Sequence, residues 1–293
     1  MAHITVLKKE AVEALTLNEN SVVFDCTIGA GGHSAEIIKH LGKDGVYVGF
    51  DVDITALENL TLPKTVATIH LVNRNFRELG EVAAELSLIP TAILADLGWR
   101  SEQFESGKKG FSFTSDEPLH MTYGESSSYD FTASTIVNEW EEQSLIDIIA
   151  GYGEDRSAKR IATAIVKARE EEEIKTAKQL ADIIYEAVPS FRRRQKIHPA
   201  TKTFQALRIA VNDELGALKS LLDSGFESLA PGGRMAVISF HSLEDRIVKR
   251  FFRELAHDLS GKIITKRPIV ASEEELSSNP RARSAKLRII EKV

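Results

Sequence analysis

The stretch Asp25-Cys26-Thr27-Ile28-Gly29-Ala30-Gly31-Gly32-His33-Ser34 places three glycines between an acid and a histidine. Glycines between a strand and a helix let a ligand approach the backbone, and a dinucleotide fingerprint spaces them G-x-G-x-x-G. Gly29 and Gly31 keep the first interval, but Gly32 follows at once and Ser34 stands where the third glycine is due. Asp51 follows Gly31 by about twenty residues, the distance at which an acid holds ribose hydroxyls. The loop by itself fits three readings: a tight turn with no ligand, a site for NAD or FAD, or a site for a nucleoside cofactor that carries no phosphate.

S-adenosylmethionine is such a cofactor, since its amino-acid end and sulfonium pass over a flat glycine-rich turn. Methyltransferases that use it often show an acid followed by glycines at alternate positions. Asp25, Thr27, Gly29 and Gly31 follow that pattern, with threonine in place of the first glycine.

The elements that must carry these residues follow from hydropathy. SVVFDCT is apolar and β-branched and runs into the glycines, and HSAEIIKHLG continues with helical spacing to a stop at Gly42. GVYVGFDVD, ATIHLVNRNF and TAILADLG read as three further strands. Strands alternating with helices predict an α/β fold with a parallel, doubly wound, Rossmann-like sheet, whose ligands lie beyond the carboxyl ends of the strands. Gly29 to Gly32, Asp51, Phe76 and Asp96 all fall at such ends. After Leu97 the alternation stops, and TASTIVNEW, EEQSLIDIIAGYG, EDRSAKRIATAIVKAREEEE and TAKQLADIIYEAVPS read as helices. Thr176 and Gln179 in the last have capping-box spacing. Alternation resumes with one long helix from Thr203 to Leu229, the strand RMAVISF, the helix LEDRIVKRFFRELA and two final strands. The expected organisation is therefore a sheet domain in two parts, 1–103 and 203–293, with an all-helical insertion at 104–202.

Bulk composition excludes several classes. A chain of 293 residues with 43% hydrophobic and 27% charged residues is ordinary for a globular protein. No apolar run approaches the roughly 18 residues of a membrane span, and the first residues lack a signal peptide's apolar region. The single cysteine, Cys26, rules out an intramolecular disulfide. A cytoplasmic location is the expectation. The net charge of −6 argues against a wholly basic nucleic-acid binder, yet the charge is uneven. Residues 191–208 hold Arg192, Arg193, Arg194, Lys196, Lys202 and Arg208 with no acid, and residues 246–293 hold twelve Lys or Arg against six Asp or Glu. Basic stretches interleaved with Phe191 and Phe204 suit phosphate contacts plus base stacking, or an ordinary solvated face.

Ordered strings run the length of the chain: TVLKKE, DCTIGAGGHS, GFDVD, ADLG, GFSF, YGEDRSAKRIATAIV, HPATKTFQALRIAVNDEL, LAPGGRMAVISFHSLEDRIVKRFF and NPRARSAKLR. Together they resemble the ribosomal RNA small subunit methyltransferase H family, also called MraW or RsmH. The resemblance implies a methyltransferase sheet with a helical insertion. It also implies methylation, from S-adenosylmethionine, of the exocyclic N4 of a cytidine in the decoding region of 16S rRNA. By the same resemblance Gly31, Gly32, His33, Asp51, Phe76, Asp96 and Gln103 contact the cofactor. With 16S rRNA or the small ribosomal subunit as the implied partner, the local charge excess makes Arg192, Arg193, Arg194 and Lys196 the expected RNA contacts, and no metal is expected. His198 and His241 lack partner ligands at useful spacing. Two departures stand out. DLGWRS replaces the family's D-L-G-V-S-S, bringing in Trp99 and Arg100, and LHMTYG replaces L-D-M-R-M-D, bringing in His120 and Thr122.

Asp96 is the candidate catalytic group, as acceptor of a hydrogen bond from the reacting amine; a nearby backbone carbonyl of ADLGWRS could serve instead, with Trp99 as a stacking surface, and a positioning-only mechanism with water taking the proton is an equal alternative. Two other classes compete with this reading: a methyltransferase of another RNA or of protein, and a non-catalytic ribosome assembly factor.

Overall fold

The computed structural model describes residues 4–97, 109–114 and 116–293. It divides into two compact units, Met1–Trp99 with Leu215–Val293, and Arg100–Glu214.

The first unit is built on seven strands: β1 (Val22–Asp25), β2 (Val46–Phe50), β3 (Thr68–Val72), β4 (Ala92–Asp96), β5 (Arg234–Ser239), β6 (Gly261–Ile263) and β7 (Lys286–Lys292). Their spatial order is β3-β2-β1-β4-β5-β7-β6. The first five are parallel, and β7 runs antiparallel to both β5 and β6. Strands β1 and β4 have near-continuous apolar sequences because both faces of the sheet are covered. Alternate side chains serve opposite cores. Val23, Leu94 and Ile238 pack with Leu7 and Ile37 on one face. Phe24, Ile93 and Val237 pack with Leu79, Leu222 and Phe252 on the other. Each such side chain contributes about 1.5–3 kcal/mol by leaving water, so both faces of the central strands are anchored. The chain winds outward from β1 in both directions, which makes the crevice between β1 and β4 the topological switch point where open α/β sheets bind ligands.

The second unit is helical, with Ala133–Glu139, Glu142–Gly151, Ala158–Glu171, Ala177–Ala187 and Thr201–Asn212 around a core that includes Ile136, Leu145, Ile161, Ile165, Leu180 and Ile184. Its limits differ from the expected 104–202. Phe204, Leu207 and Val211 bury themselves in this helical core, which carries Thr201–Asn212 into the insertion. The long helix read from Thr203 to Leu229 is also two helices, Thr201–Asn212 and Glu214–Ser228, parted by Asp213 at φ 45. Asn212 anchors the break, donating to the Met121 carbonyl at 2.7 Å and accepting from the Tyr123 amide at 3.0 Å. Arg208 forks onto Glu214 at 2.8 and 3.0 Å across it.

Thr176 caps its helix through Gln179 N, but Gln179 reaches back to the Lys175 amide and not to the cap residue. Among the described residues no helix is long and apolar enough to cross a membrane.

Candidate functional site at the sheet's switch point

The glycine turn is organised around Asp25. This carboxylate is 1% exposed at the end of β1 and accepts hydroxyl protons from Ser34 and Tyr47, each at 2.8 Å. The Thr27 amide adds a longer bond at 3.3 Å. Burial pushes the Asp25 carboxyl above its ordinary value, against the lowering effect of those three donors. Burial, with Asp25 alongside, drives the Tyr47 hydroxyl and the Cys26 thiol well up, so neither ionises near neutrality. Asp25 thus pins the strand end, the next helix and β2 together.

The glycines then have local causes. Gly31 has φ 76 at the N-cap of the helix Gly32–Ile38 and donates to the Ile28 carbonyl at 2.8 Å. A side chain there would be strained whatever the space. A Cβ on Gly32 would lie 1.7 Å from Thr5 Oγ1, so the N-terminal segment itself occupies that side of the turn. Gly29 donates its amide to Asp51 Oδ2 at 3.3 Å, linking the turn to the end of β2.

Asp51 and Asp53 divide their work. Asp53 caps the helix Ile54–Glu58 through the Thr55 amide and hydroxyl. Asp51 accepts from the Asp53 amide at 2.9 Å and from Gly29, and its own carbonyl accepts from Asn73 Nδ2 at 2.9 Å. It is half-buried with a carboxylate held by backbone donors. Two oxygens with about four acceptor sites are the chemistry a vicinal diol requires.

Phe76 opens a short 3₁₀ turn capped by Asn75 beyond β3, half-buried against the core of Val48, Phe50 and Leu79. Asp96 ends β4 beside the turn, with its amide on Thr27 Oγ1 at 2.7 Å. The buried His33 ring spans from the Val6 carbonyl, 3.1 Å from Nε2, to Asp96 Oδ2, 3.7 Å from Nδ1. His33 is therefore no helix cap. It braces the N-terminal segment and faces the Asp96 carboxylate.

The structure thus brings Gly29 and Gly31 with Asp51, and His33 with Asp96, to one edge of the sheet, with Phe76 at the exit of the neighbouring strand. Gln103, Trp99 and Arg100 lie outside the described residues. Thr5 and Val6 were not singled out from sequence, and only their place in TVLKKE hinted at a role. The turn residues 25–34 contain no Lys or Arg, and the first helical side chains serve Val6 and Asp25. That donor set suits a nucleoside cofactor without phosphates better than a dinucleotide, whose pyrophosphate seeks a helix N-terminus.

The expected RNA-binding run is altered by its neighbours. Arg192 forks onto Asp155, Nη1 to Oδ1 at 2.6 Å and Nη2 to Oδ2 at 3.1 Å, and also donates to Ser157 Oγ at 2.9 Å. The Asp155 side chain has 0% exposure, so this is an interior pair. Arg193 pairs with Glu186, donates to the Glu186 and Val188 carbonyls, and lies 5.1 Å over the Tyr185 ring. Arg194 and Lys196 remain exposed without a partner among the described residues, flanked by exposed Phe191 and Ile197. The two unusual residues of LHMTYG also have local partners. Thr122 is buried and bonds the Gly124 carbonyl and Ser126 Oγ, and His120 Nδ1 lies 3.3 Å from the same Ser126 hydroxyl.

Residues 1–293 match the MraW methylase family. A protein named ribosomal RNA small subunit methyltransferase H from Heliobacterium modesticaldum is 46% identical, with 99% of this chain and 98% of the relative covered. Its namesake from Symbiobacterium thermophilum is 43% identical over 99% of this chain and 96% of its own length. The namesake from Halothermothrix orenii is 42% identical over 100% and 99%.

Proposed function

We propose a function that starts from family membership: the chain belongs to the MraW methylase family. It transfers the methyl group of S-adenosylmethionine to small-subunit 16S ribosomal RNA, at the exocyclic N4 of a cytidine in the decoding region. The observation that carries the reading is the switch point, where Asp51 is held by the glycine turn and Asp96 faces His33 on the adjoining strand end.

When bound, the cofactor supplies a methyl group made electrophilic by its sulfonium. Asp51 would accept the ribose hydroxyls, Phe76 would line the adenine, and the Gly29–Gly32 turn would border the amino-acid end. Cytosine N4 is a weak nucleophile because its lone pair is delocalised into the ring. Holding the amine in line with the reacting bond supplies part of the barrier reduction. A carboxylate accepting one amine hydrogen keeps electron density on nitrogen as positive charge develops. Asp96 is the group proposed for that task; its position at the end of β4, its amide bonded to Thr27 and its carboxylate facing the buried His33 ring support the choice. With Nε2–H donated to Val6 O, the other ring nitrogen faces Asp96 across 3.7 Å and holds the carboxylate only when the ring is doubly protonated; in that form His33 is the positioning residue behind the acceptor.

The test uses 16S rRNA from a strain lacking this gene, mapped by mass before and after the gene is restored, and small subunits from that strain incubated with purified enzyme and cofactor. A methyl group regained on one cytidine N4 is expected. No gain on rRNA, with methylation of protein or cofactor binding without turnover, overturns the reading.

A further inference from the structure

A cleft of about 370 Å³ lies at the far margin of the sheet from β3, lined by Lys249, Arg253, Thr265, Lys266 and Arg288 over Phe252 and Ile289. It is bounded by the helix Ser242–His257, β7 and the segment after β6. No acid lines it. Arg288 is already committed to Asp245 at 2.7 Å. Lys249, Arg253 and Lys266 make no ion pair or hydrogen bond with any described residue. The Thr265 hydroxyl oxygen is buried and unbonded. Buried hydroxyls without partners are uncommon and point to a missing ligand or water.

This arrangement comes from sequence spacing. Arg246, Lys249, Arg250 and Arg253 recur at helical intervals of three and four, while Leu243, Val248 and Phe252 are buried. The basic stripe therefore faces out over an apolar anchor. Three unneutralised cations lining one cleft over an apolar floor raise the local potential and draw anions.

We infer that this cleft is a docking track for the phosphodiester backbone of the RNA substrate, separate from the methyl-transfer site. The position supports it. Ile238 pairs with Asp96 on one side and Leu287 on the other, so Arg288 is one residue from the Asp96 row. From β4 through β5 and β7 to β6 is three strand spacings, about 14 Å, a reach of a few nucleotides from the base presented at Asp96. The cleft lacks an exposed aromatic for stacking, so it reads phosphate and not sequence. The inference rests on the RNA-methylation reading above.

The test is fluorescence anisotropy of a labelled single-stranded small-subunit rRNA fragment against salt, without turnover, for the full chain and for Lys249→Ala/Arg253→Ala/Lys266→Ala. Removing three phosphate contacts should make the slope of log affinity against log salt shallower by about 2, with S-adenosylmethionine affinity unchanged. Lys249→Arg/Lys266→Arg should keep the wild-type slope. An unchanged slope in the triple alanine variant overturns the proposal. So does calorimetry in which tripolyphosphate binding is lost in that variant while RNA affinity is not, since the cleft would then be a small-anion site. A wild-type chain that binds the RNA with this slope but methylates nothing would sink the function and leave the track, so the two failures are distinct.

Discussion

Arg192→Ala separates a structural arginine from an RNA contact. The Arg192 side chain is 18% exposed and its partner, the Asp155 carboxylate, 0%. Both carboxylate oxygens are engaged by the guanidinium, and the Ser157 amide supplies one further donor to Oδ1 at 2.8 Å. Removing one member of a buried pair typically costs 3–5 kcal/mol, because the other charge stays buried. The Ser157 amide remains, and water can follow the truncated side chain, so the cost falls at the lower end, about 3 kcal/mol. At roughly 3–4 °C per kcal/mol this lowers the melting midpoint of the helical unit by about 10 °C.

The assay is thermal and urea unfolding of the full chain, with Asp155→Ala and the double variant completing a cycle. The double variant should be more stable than additivity of the single changes requires, since the uncompensated charge goes with its partner. Arg194→Ala/Lys196→Ala is the counterpart: an unchanged melting midpoint and a salt slope for RNA binding shallower by about 1.4, two single-strand contacts. Wild-type melting of Arg192→Ala together with weakened RNA binding would refute the reasoning and return Arg192 to the RNA.

Three more outcomes follow from the sheet unit. Asp51→Ala should weaken S-adenosylmethionine binding by about 1–3 kcal/mol, the cost of leaving polar partners unpaired; calorimetry checks it, and undiminished affinity removes the ribose assignment. Asp96→Asn keeps size and one acceptor oxygen, and methylation should fall at least about tenfold, about 1.4 kcal/mol of transition-state stabilisation, with little change in melting; full turnover in a folded variant would shift attention to the backbone after Asp96. Burial raises the Asp245 carboxyl, but hydrogen bonds and charge from Arg288 and Lys286 outweigh it and leave the group below its ordinary value. A carboxyl lowered by folding contributes stability above its unfolded value and loses it as pH falls through the folded one. Asp245→Asn should therefore flatten the acid side of the melting profile below about pH 4, and an identical profile would discount the triad.

The parallel strands were legible because burial on two faces demands continuous apolar runs, and β1 and β4 are such runs. The edge acids were legible because a carboxylate at a strand's end needs a stated partner. What stayed hidden is non-local. Asp155 and Arg192 are 37 residues apart, so a basic string with no acid inside it looked solvent-facing. Val6 reaches His33 across 27 residues. The helix break at Asp213 had no glycine or proline to mark it, and its left-handed backbone is unusual for an acid and is held by contacts from Asn212 and Arg208.

The displaced third glycine follows from the same physics. Were Ser34 a glycine, Asp25 would keep Tyr47 as its only side-chain donor, and a buried carboxylate short of one bond costs about 1–3 kcal/mol. The serine is therefore accounted for by the acid ending β1. With Asp25 satisfied internally, the turn offers its Gly29 amide to Asp51 and places His33 opposite Asp96. In a dinucleotide fold the glycines clear the helix N-terminus for a pyrophosphate. Here Thr5 closes one side of the turn at Gly32 and Val6 takes the histidine. The spacing that fails the dinucleotide rule is thus the spacing by which a buried carboxylate fixes the turn between two half-buried ones, Asp51 and Asp96.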